Sequence, residues 1–168
     1  RQMWIRDSTH VVRRAGDQFT EAVGQGTADR VKAVVSFTLG AGDNIEFLET
    51  FAPTATVSLN LTGNELAQTI TGNAGINTLD GGATGAADTL VGGLGNDTYI
   101  VRRATDAITE AAGQGTADRV KAAVTFVLGV GDDTESLVPV HHTAMEVVSR
   151  TRHDNTQPVT GNAGVNTL

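Results

Sequence analysis

Residues 63–100 read GNELAQTIT, GNAGINTLD, GGATGAADTLV and GGLGNDTYI, four consecutive units that each begin with glycine. In each unit a short loop precedes a three-residue segment with an apolar centre. These centres are spaced by 9, 11 and 9 residues: Ile70, Leu79, Leu90 and Tyr99. At this spacing each centre stacks over the next but one, and glycine allows the loops to reverse in partly left-handed conformations. The stretch predicts an all-β parallel β-roll or β-helix, a solenoid of glycine-rich nonapeptide turns and longer β segments.

A much longer repeat encloses these units. The stretch from Val12 (VRRAGDQFTEAVGQGTADRVKA) recurs from Val101 (VRRATDAITEAAGQGTADRVKA), an offset of 89 residues that persists to the last residues of the chain. A repeat this long must hold several small units whose neighbours complete each other's core. The chain ends inside the next unit, so we expect a piece of a longer protein. We divide it into a first long unit, glycine-rich turns, a second long unit and the start of another turn set: 1–59, 60–101, 102–160 and 161–168.

Alternating apolar residues predict longer strands outside the glycine-rich turns. We interpret one such run in each copy as a single strand with one buried side: Val31, Ala33, Val35, Phe37 and Leu39, then Val120, Ala122, Val124, Phe126 and Leu128. Two shorter runs predict further strands: Val57, Leu59 and Leu61, and Tyr99 with Val101.

The tract 138–159 departs from the repeat although the 89-residue offset holds on both sides of it. Two apolar positions of the first copy become Glu146 and Arg150, and the turn glycine Gly63 becomes Arg152. Charges in core positions are costly unless solvent reaches them. We predict that this tract, a drifted repeat or the product of two compensating frame errors, is the least ordered part of the chain.

The glycine loops resemble a known family. GGLGNDTYI at 92–100 matches GGxGxDxUx, the nonapeptide of calcium-binding β-helix repeats. The whole stretch from Leu61 to Leu128 resembles the haemolysin-type calcium-binding (RTX) repeat regions of secreted bacterial proteins. Calcium takes six to eight oxygen ligands, from carboxylates and backbone carbonyls. The resemblance implies ions between loops that stack on the same side of the coil, one turn apart.

Carried onto this sequence, the resemblance implies a first calcium site near Asp97. Loop 72–77 would face loop 92–97, which places Asn77 opposite Asp97. The carbonyl ligands would come from three glycines of these loops: Gly75, Gly93 and Gly95. Asn77 stands where the family has aspartate, so the site lacks one formal charge.

A second implied site lies near Asp88. Loop 63–68 would face loop 81–88, pairing Gln68 with Asp88 and adding Gly82. In the first copy, Ser8 stands at the position of Asp97 and Arg6 at that of Gly95, so we expect no ion there. The alternative for all these loops is ion-free solenoid turns, since Asn and Asp favour turns for reasons of their own.

Composition and spacing argue against other functions. A net charge of −7 argues against nucleic acid as a partner, and the absence of cysteine excludes disulfides and zinc–thiolate sites. No apolar run approaches the roughly 18 residues of a membrane span. We expect no catalysis at Asp132, Asp133 and Glu135. We also expect no metal binding at the adjacent histidines His141 and His142 with His153, because their counterparts in the first copy are not histidines. The recurring arginine pairs predict solvated strand ends: Arg13–Arg14 and Arg102–Arg103. The alternative for these pairs is contact with a cell surface or an anionic polymer such as a polysaccharide.

Three functional hypotheses follow. The first is calcium binding that drives extracellular folding of a secreted bacterial repeat region, with Ca²⁺ and the rest of a longer chain as partners. The second is a calcium-independent spacer or adhesin stalk. The third is a non-catalytic region of a secreted enzyme such as a protease, lipase or epimerase. On each hypothesis the fragment itself is not an enzyme.

Overall fold

A computed structural model describes residues 6–128, 132, 134, 136–140 and 149–150. These residues form short parallel strands and contain no helix, which confirms the predicted all-β solenoid. The strands are β1 (Thr9–Val12), β2 (Arg30–Ala33), β3 (Phe37–Thr38), β4 (Phe47–Thr50), β5 (Asn60–Thr62), β6 (Thr69–Thr71), β7 (Thr78–Asp80), β8 (Thr89–Val91), β9 (Thr98–Val101), β10 (Ala107–Thr109), β11 (Arg119–Ala122), β12 (Val127–Leu128), β13 (Ser136–Pro139) and β14 (Ser149–Arg150).

The strands build two facing sheets of six strands each. The first sheet has the order β1-β2-β4-β6-β8-β10, and the second has the order β13-β11-β9-β7-β5-β3. From β2 to β11 the chain alternates between the sheets, so that the coil makes about six turns along its length. β12 pairs separately with β14.

The core is a column of apolar side chains between the sheets. In the first sheet Ile70 pairs with Leu90, and in the second Leu79 pairs with Tyr99. All four side chains are fully buried. The predicted stack of every second strand centre is therefore confirmed.

The prediction of one continuous strand from Val31 to Leu39 is wrong, because this run forms two strands. β2 ends at Ala33 in the first sheet, and β3 begins at Phe37 in the second. Apolar and polar residues still alternate through the bend between the two strands, because Val35 at the bend packs partly against the core. Val57 was also assigned wrongly, because it is 62% exposed and lies outside β5.

The two copies of the long repeat occupy opposite sheets. β1 and β2 lie in the first sheet, whereas their equivalents β9 and β11 lie in the second. An 89-residue step therefore spans an odd number of crossings between the sheets. The same sequence, Arg-Val-Lys-Ala, consequently forms β2 in one sheet and β11 in the other.

Most of the tract predicted to be least ordered lies outside the described residues, namely 141–148 and 151–159. Its beginning contributes to β13, which pairs with β11. Within the described part of the chain, no helix is long and apolar enough to cross a membrane.

Candidate metal centre

Polar side chains stack along the edge of the coil where the chain enters the second sheet. Asn77, Asp97 and Asp118 each directly precede a strand of this sheet, and we call this stack the Asp97 edge. The backbone N–H of Asn77 donates to Asp97 Oδ1 at 2.7 Å. The backbone N–H of Asp97 donates to Asp118 Oδ1, also at 2.7 Å. Each carboxylate thus links its own turn to the preceding one, and the predicted opposition of Asn77 and Asp97 is present.

Three carboxylates converge at the Asp97 edge. Asp97, Glu110 and Asp118 each offer one oxygen, and these oxygens all lie within 4.8 Å of one another. All three residues are at most 1% exposed. The hydroxyl of Tyr99 donates a hydrogen bond to Glu110 from the core side. Among the described residues, this is the one group of at least three acidic or histidine side chains with such spacing.

The electrostatics of this group favour a bound positive charge. Burial raises the pKa of Asp97 to about 6, and the hydrogen bond from Asn77 opposes that rise only in part. Among the described residues, nothing donates a hydrogen bond to Asp97 Oδ2. Burial, the hydrogen bond to Glu110 and the charge of Glu110 also raise the pKa of Tyr99, which keeps its phenol protonated. Ionised carboxylates in such a site require a compensating cation.

Glycine is required where the loops approach these carboxylates. A Cβ atom on Gly92 would collide with Asp97 Oδ2 and with the Tyr99 hydroxyl. A Cβ atom on Gly115 would collide with Asp118 Oδ2 and with the carbonyl oxygen of Gly95. Glycine therefore leaves room for a carbonyl oxygen close to a carboxylate, which is a ligand combination that calcium uses.

The other predicted ligands of this site have structural roles. The amide oxygen of Asn77 accepts the backbone N–H of Asn73 at 2.8 Å, and its amide nitrogen donates to Leu59 O at 3.2 Å. Gly93 and Gly95 have φ angles of +96° and +109°, and Gly95 lies directly against the carbonyl of Gly75. Asn77 thus helps to hold its loop, while the three glycines allow close stacking of successive loops.

A second stack, the Asp88 edge, lies where the chain enters the first sheet, and we define it by Gln68, Asp88 and Asp106. The backbone N–H of Gln68 donates to Asp88 Oδ1 at 2.9 Å, which brings together the predicted pair. The backbone N–H of Asp88 donates to Asp106 Oδ1 at 3.2 Å. Gly82, with φ +100°, packs against the carbonyl of Asn64 on the turn before.

Two neighbouring arginine side chains bind carboxylates of earlier turns, one at the Asp88 edge and one at the end of β7. Arg103 Nη1 lies 3.7 Å from Asp88 Oδ2, and Arg102 forms two short contacts with Asp80, of 2.8 and 3.0 Å. The hydrogen bonds to Asp80 raise the pKa of Arg102. The prediction of solvated strand ends is therefore wrong for Arg103, which is only 17% exposed beside Asp88. Arg102 is exposed as predicted although it binds Asp80, and the first pair, Arg13–Arg14, is exposed too.

The first copy fills the equivalent of the Asp97 cluster differently. Ser8 Oγ, His10 Nε2 and Glu21 Oε2 form a triangle with sides of 2.9, 3.0 and 3.1 Å. His10 also stacks on Phe19, with 4.7 Å between ring centroids. A hydroxyl and an imidazole therefore replace Asp97 and Tyr99 in a group whose hydrogen bonds are internal.

The sequence interpretation did not identify Glu110 and Asp118 as candidate ligands. They lie outside the nonapeptide, in TEA and TAD segments that recur in both copies. One signal for Asp118 was its position, because it directly precedes β11 just as Asp97 directly precedes β9. Only the register of β9 against β11 shows that these positions stack.

Comparisons of this chain with models of known protein families, with curated proteins and with solved structures gave no match.

Proposed function

We propose that this chain binds Ca²⁺ through Asp97, Glu110 and Asp118, and that the ion stabilises the coil in the manner of RTX repeats. The observation that carries the proposal is the convergence of these three buried carboxylates, whose oxygens lie within 4.8 Å of one another. Two of the three come from the segment after the nonapeptide. The site therefore extends beyond the loops to which the sequence resemblance pointed.

The donor atoms favour calcium over other metals. All three side chains offer oxygen only, and the neighbouring Gly95 carbonyl is a fourth oxygen beside Asp118. Hard cations prefer such ligands, whereas zinc, copper and nickel are typically held by imidazole or thiolate. Magnesium demands a stricter octahedral shell and keeps more of its water. Three negative charges also suit a divalent ion better than a monovalent one.

Mass action gives the expected size of the effect. Extracellular calcium modules have dissociation constants of about 0.1–1 mM. With a Kd of about 0.1 mM and about 1 mM calcium, one site adds roughly 1.4 kcal/mol to the free energy of unfolding. In the RTX family, the resemblance implies a chain that stays loose in calcium-poor cytoplasm and folds after export. We extend this proposal to the present chain, as part of a secreted bacterial protein.

A calcium-independent spacer is the second candidate, and the first copy favours it. There the backbone N–H of Ser8 donates to Asp29 Oδ1 at 2.5 Å, which preserves the link between turns. The Ser8–His10–Glu21 hydrogen bonds fill the equivalent of the carboxylate cluster. A turn of this coil therefore forms hydrogen bonds where the third carboxylate would lie, as a spacer would require, although Asp29 Oδ2 accepts none among the described residues.

Calorimetric titration with calcium, and with magnesium as a control, tests the proposal. We expect saturable calcium binding that Asp118→Asn abolishes. Asp29 is the equivalent residue in the first copy, so Asp29→Asn is a matched control that should leave binding intact. Circular dichroism in chelator and in calcium would show whether each variant retains its β structure. Absence of calcium binding by the folded wild-type chain would contradict the proposal and favour the spacer.

A further inference from the structure

The Asp88 edge repeats the architecture of the Asp97 edge but contains a cation of its own. Asp88 is 2% exposed and its Oδ1 accepts the backbone N–H of Gln68. Its Oδ2 atom accepts no hydrogen bond among the described residues. Asp106 and Asp80 add negative charge close enough to affect the ionisation of Asp88. A carboxylate in these surroundings has the same need for positive charge as Asp97.

The guanidinium of Arg103 supplies that charge. Its Nη1 atom lies 3.7 Å from Asp88 Oδ2 and donates a hydrogen bond to the carbonyl oxygen of Ala86. The Arg103 side chain is only 17% exposed. A carboxylate oxygen and a loop carbonyl are the two kinds of ligand that calcium takes from such loops. The guanidinium therefore contacts the atoms that would otherwise be available to a metal ion.

Arg103 compensates the charge without satisfying every donor and acceptor. Among the described residues, its Nη2 atom is buried without a hydrogen-bond partner, as is Asp88 Oδ2. An ion pair at 3.7 Å is longer than the 2.7–2.9 Å of a charge-assisted hydrogen bond. A divalent ion, which can gather several oxygens at once, would coordinate this carboxylate more completely.

We propose that Arg103 acts as a tethered cation in a latent calcium site around Asp88, and that its removal allows Ca²⁺ to bind there. In the native chain, the Asp88 edge is then stabilised without metal. The inference concerns a separate site and holds whether or not calcium binds at Asp97.

The first copy supplies a matched control. Arg14 is the equivalent of Arg103, but it is exposed. Arg103→Gln should therefore gain one calcium ion per chain relative to the wild type, and Arg14→Gln should gain none. The double variant Arg103→Gln with Asp88→Asn should return to the wild-type count. Calorimetric stoichiometry and calcium-dependent unfolding temperatures are the two readouts.

The outcomes are distinguishable from those of the proposed function. If the wild type binds no calcium and Arg103→Gln binds one ion, the proposed function fails and this inference stands. If Arg103→Gln folds only when calcium is added, the tethered-cation role is supported. An unchanged calcium count in folded Arg103→Gln would overturn it, as would failure of this variant to fold at saturating calcium. The inference would also be overturned if the single variant Asp88→Asn bound one calcium ion fewer than the wild type.

Discussion

His10 Nε2 lies 3.1 Å from the carboxylate of Glu21, in the place where Tyr99 donates to Glu110 in the second copy. The two pairs are separated by the same 89 residues, yet their surroundings differ. Beside Glu110 lie two further buried carboxylates, whereas beside Glu21 the hydroxyl of Ser8 takes the place of one of them. The equivalent glutamates, Glu21 and Glu110, thus belong to polar groups of different composition.

This difference predicts that equivalent substitutions in the two copies have unequal effects. Glu110→Gln should weaken calcium binding by at least about tenfold, because affinity depends on the number of charged ligands. Glu21→Gln should leave calcium affinity within about twofold of the wild type, since that group lacks the third carboxylate. Calorimetric titration of both variants measures the contrast. An equal loss of calcium affinity in the two variants would contradict the prediction that calcium binds only in the second copy.

Tyr99 should report directly on an ion at the Asp97 edge. It is the only tyrosine of the chain, and its hydroxyl contacts Glu110. Terbium is a hard cation that takes oxygen ligands as calcium does, and a nearby tyrosine sensitises its green emission. In a Trp4→Phe background, which removes the only tryptophan, excitation should give terbium emission that calcium displaces. Tyr99→Phe should remove most of the emission. Emission that persists in this variant would place the ion elsewhere.

The stability of the metal-free protein should fall as the pH rises from about 4 to 7. The pKa of Asp97 is raised by burial to about 6 from an ordinary value of 3.8. In that window the folded chain still holds a proton that the unfolded chain has released, so raising the pH favours unfolding. The effect of one such carboxyl is on the order of 3 kcal/mol. Denaturant titrations in chelator at several pH values measure it.

Two variants separate the contribution of Asp97 from those of the other carboxyls. Asp97→Asn should reduce the fall in stability without abolishing it, since burial raises the pKa of Asp88 to about 6 as well. Asp17 is a control, because the backbone N–H groups of Arg13 and Arg14 lower its pKa, so its ionisation affects stability only below about pH 4 and Asp17→Asn should leave the fall nearly unchanged. Calcium should stabilise the wild type more at pH 7 than at pH 5, since it binds the ionised form. A metal-free stability that rises between pH 4 and 7 in the wild type but not in Asp97→Asn would contradict the argument.

A pair of glycine variants tests the close stacking of the loops. Gly113 and Gly95 both have positive φ angles, of +79° and +109°. An added Cβ meets nothing within 4 Å at Gly113, but lies 2.5 Å from the Gly75 carbonyl oxygen at Gly95. Gly113→Ala should therefore cost about 1 kcal/mol from backbone strain alone. Gly95→Ala should cost at least about 2 kcal/mol more, as the stacked turns are forced apart. Chemical unfolding in chelator measures the free energy of unfolding of both variants. Equal losses would show that the stacked loops move apart without a further loss of stability.

The sequence predicts the parts of this fold that depend on local spacing. Ile70, Leu79, Leu90 and Tyr99 stack as expected because each turn has nearly the same length. The crossing between β2 and β3 was missed because the inward bend at Val35 preserves the alternating pattern through the corner. A pattern of burial therefore does not reveal where a strand changes sheets.

The candidate site can be predicted only in part from the sequence, because its ligands lie far apart along the chain. Asp97 lies within the nonapeptide, whereas Asp118 lies 21 residues later and reaches Asp97 only through the register of β9 and β11. Arg103 was misjudged because an arginine after a strand is typical of solvated ends. Its contact with Asp88 depends on a turn 15 residues earlier, which no local pattern indicates.

The exchange of sheets between the two copies also exchanges the directions in which their outer surfaces face. β2 and β11 belong to sheets that share one core between them, so their outward residues face opposite directions. Arg30 and Lys32 therefore point to one side of the coil, and Arg119 and Lys121 to the other. A flat partner would meet the outer face of β2 or that of β11, but not both at once.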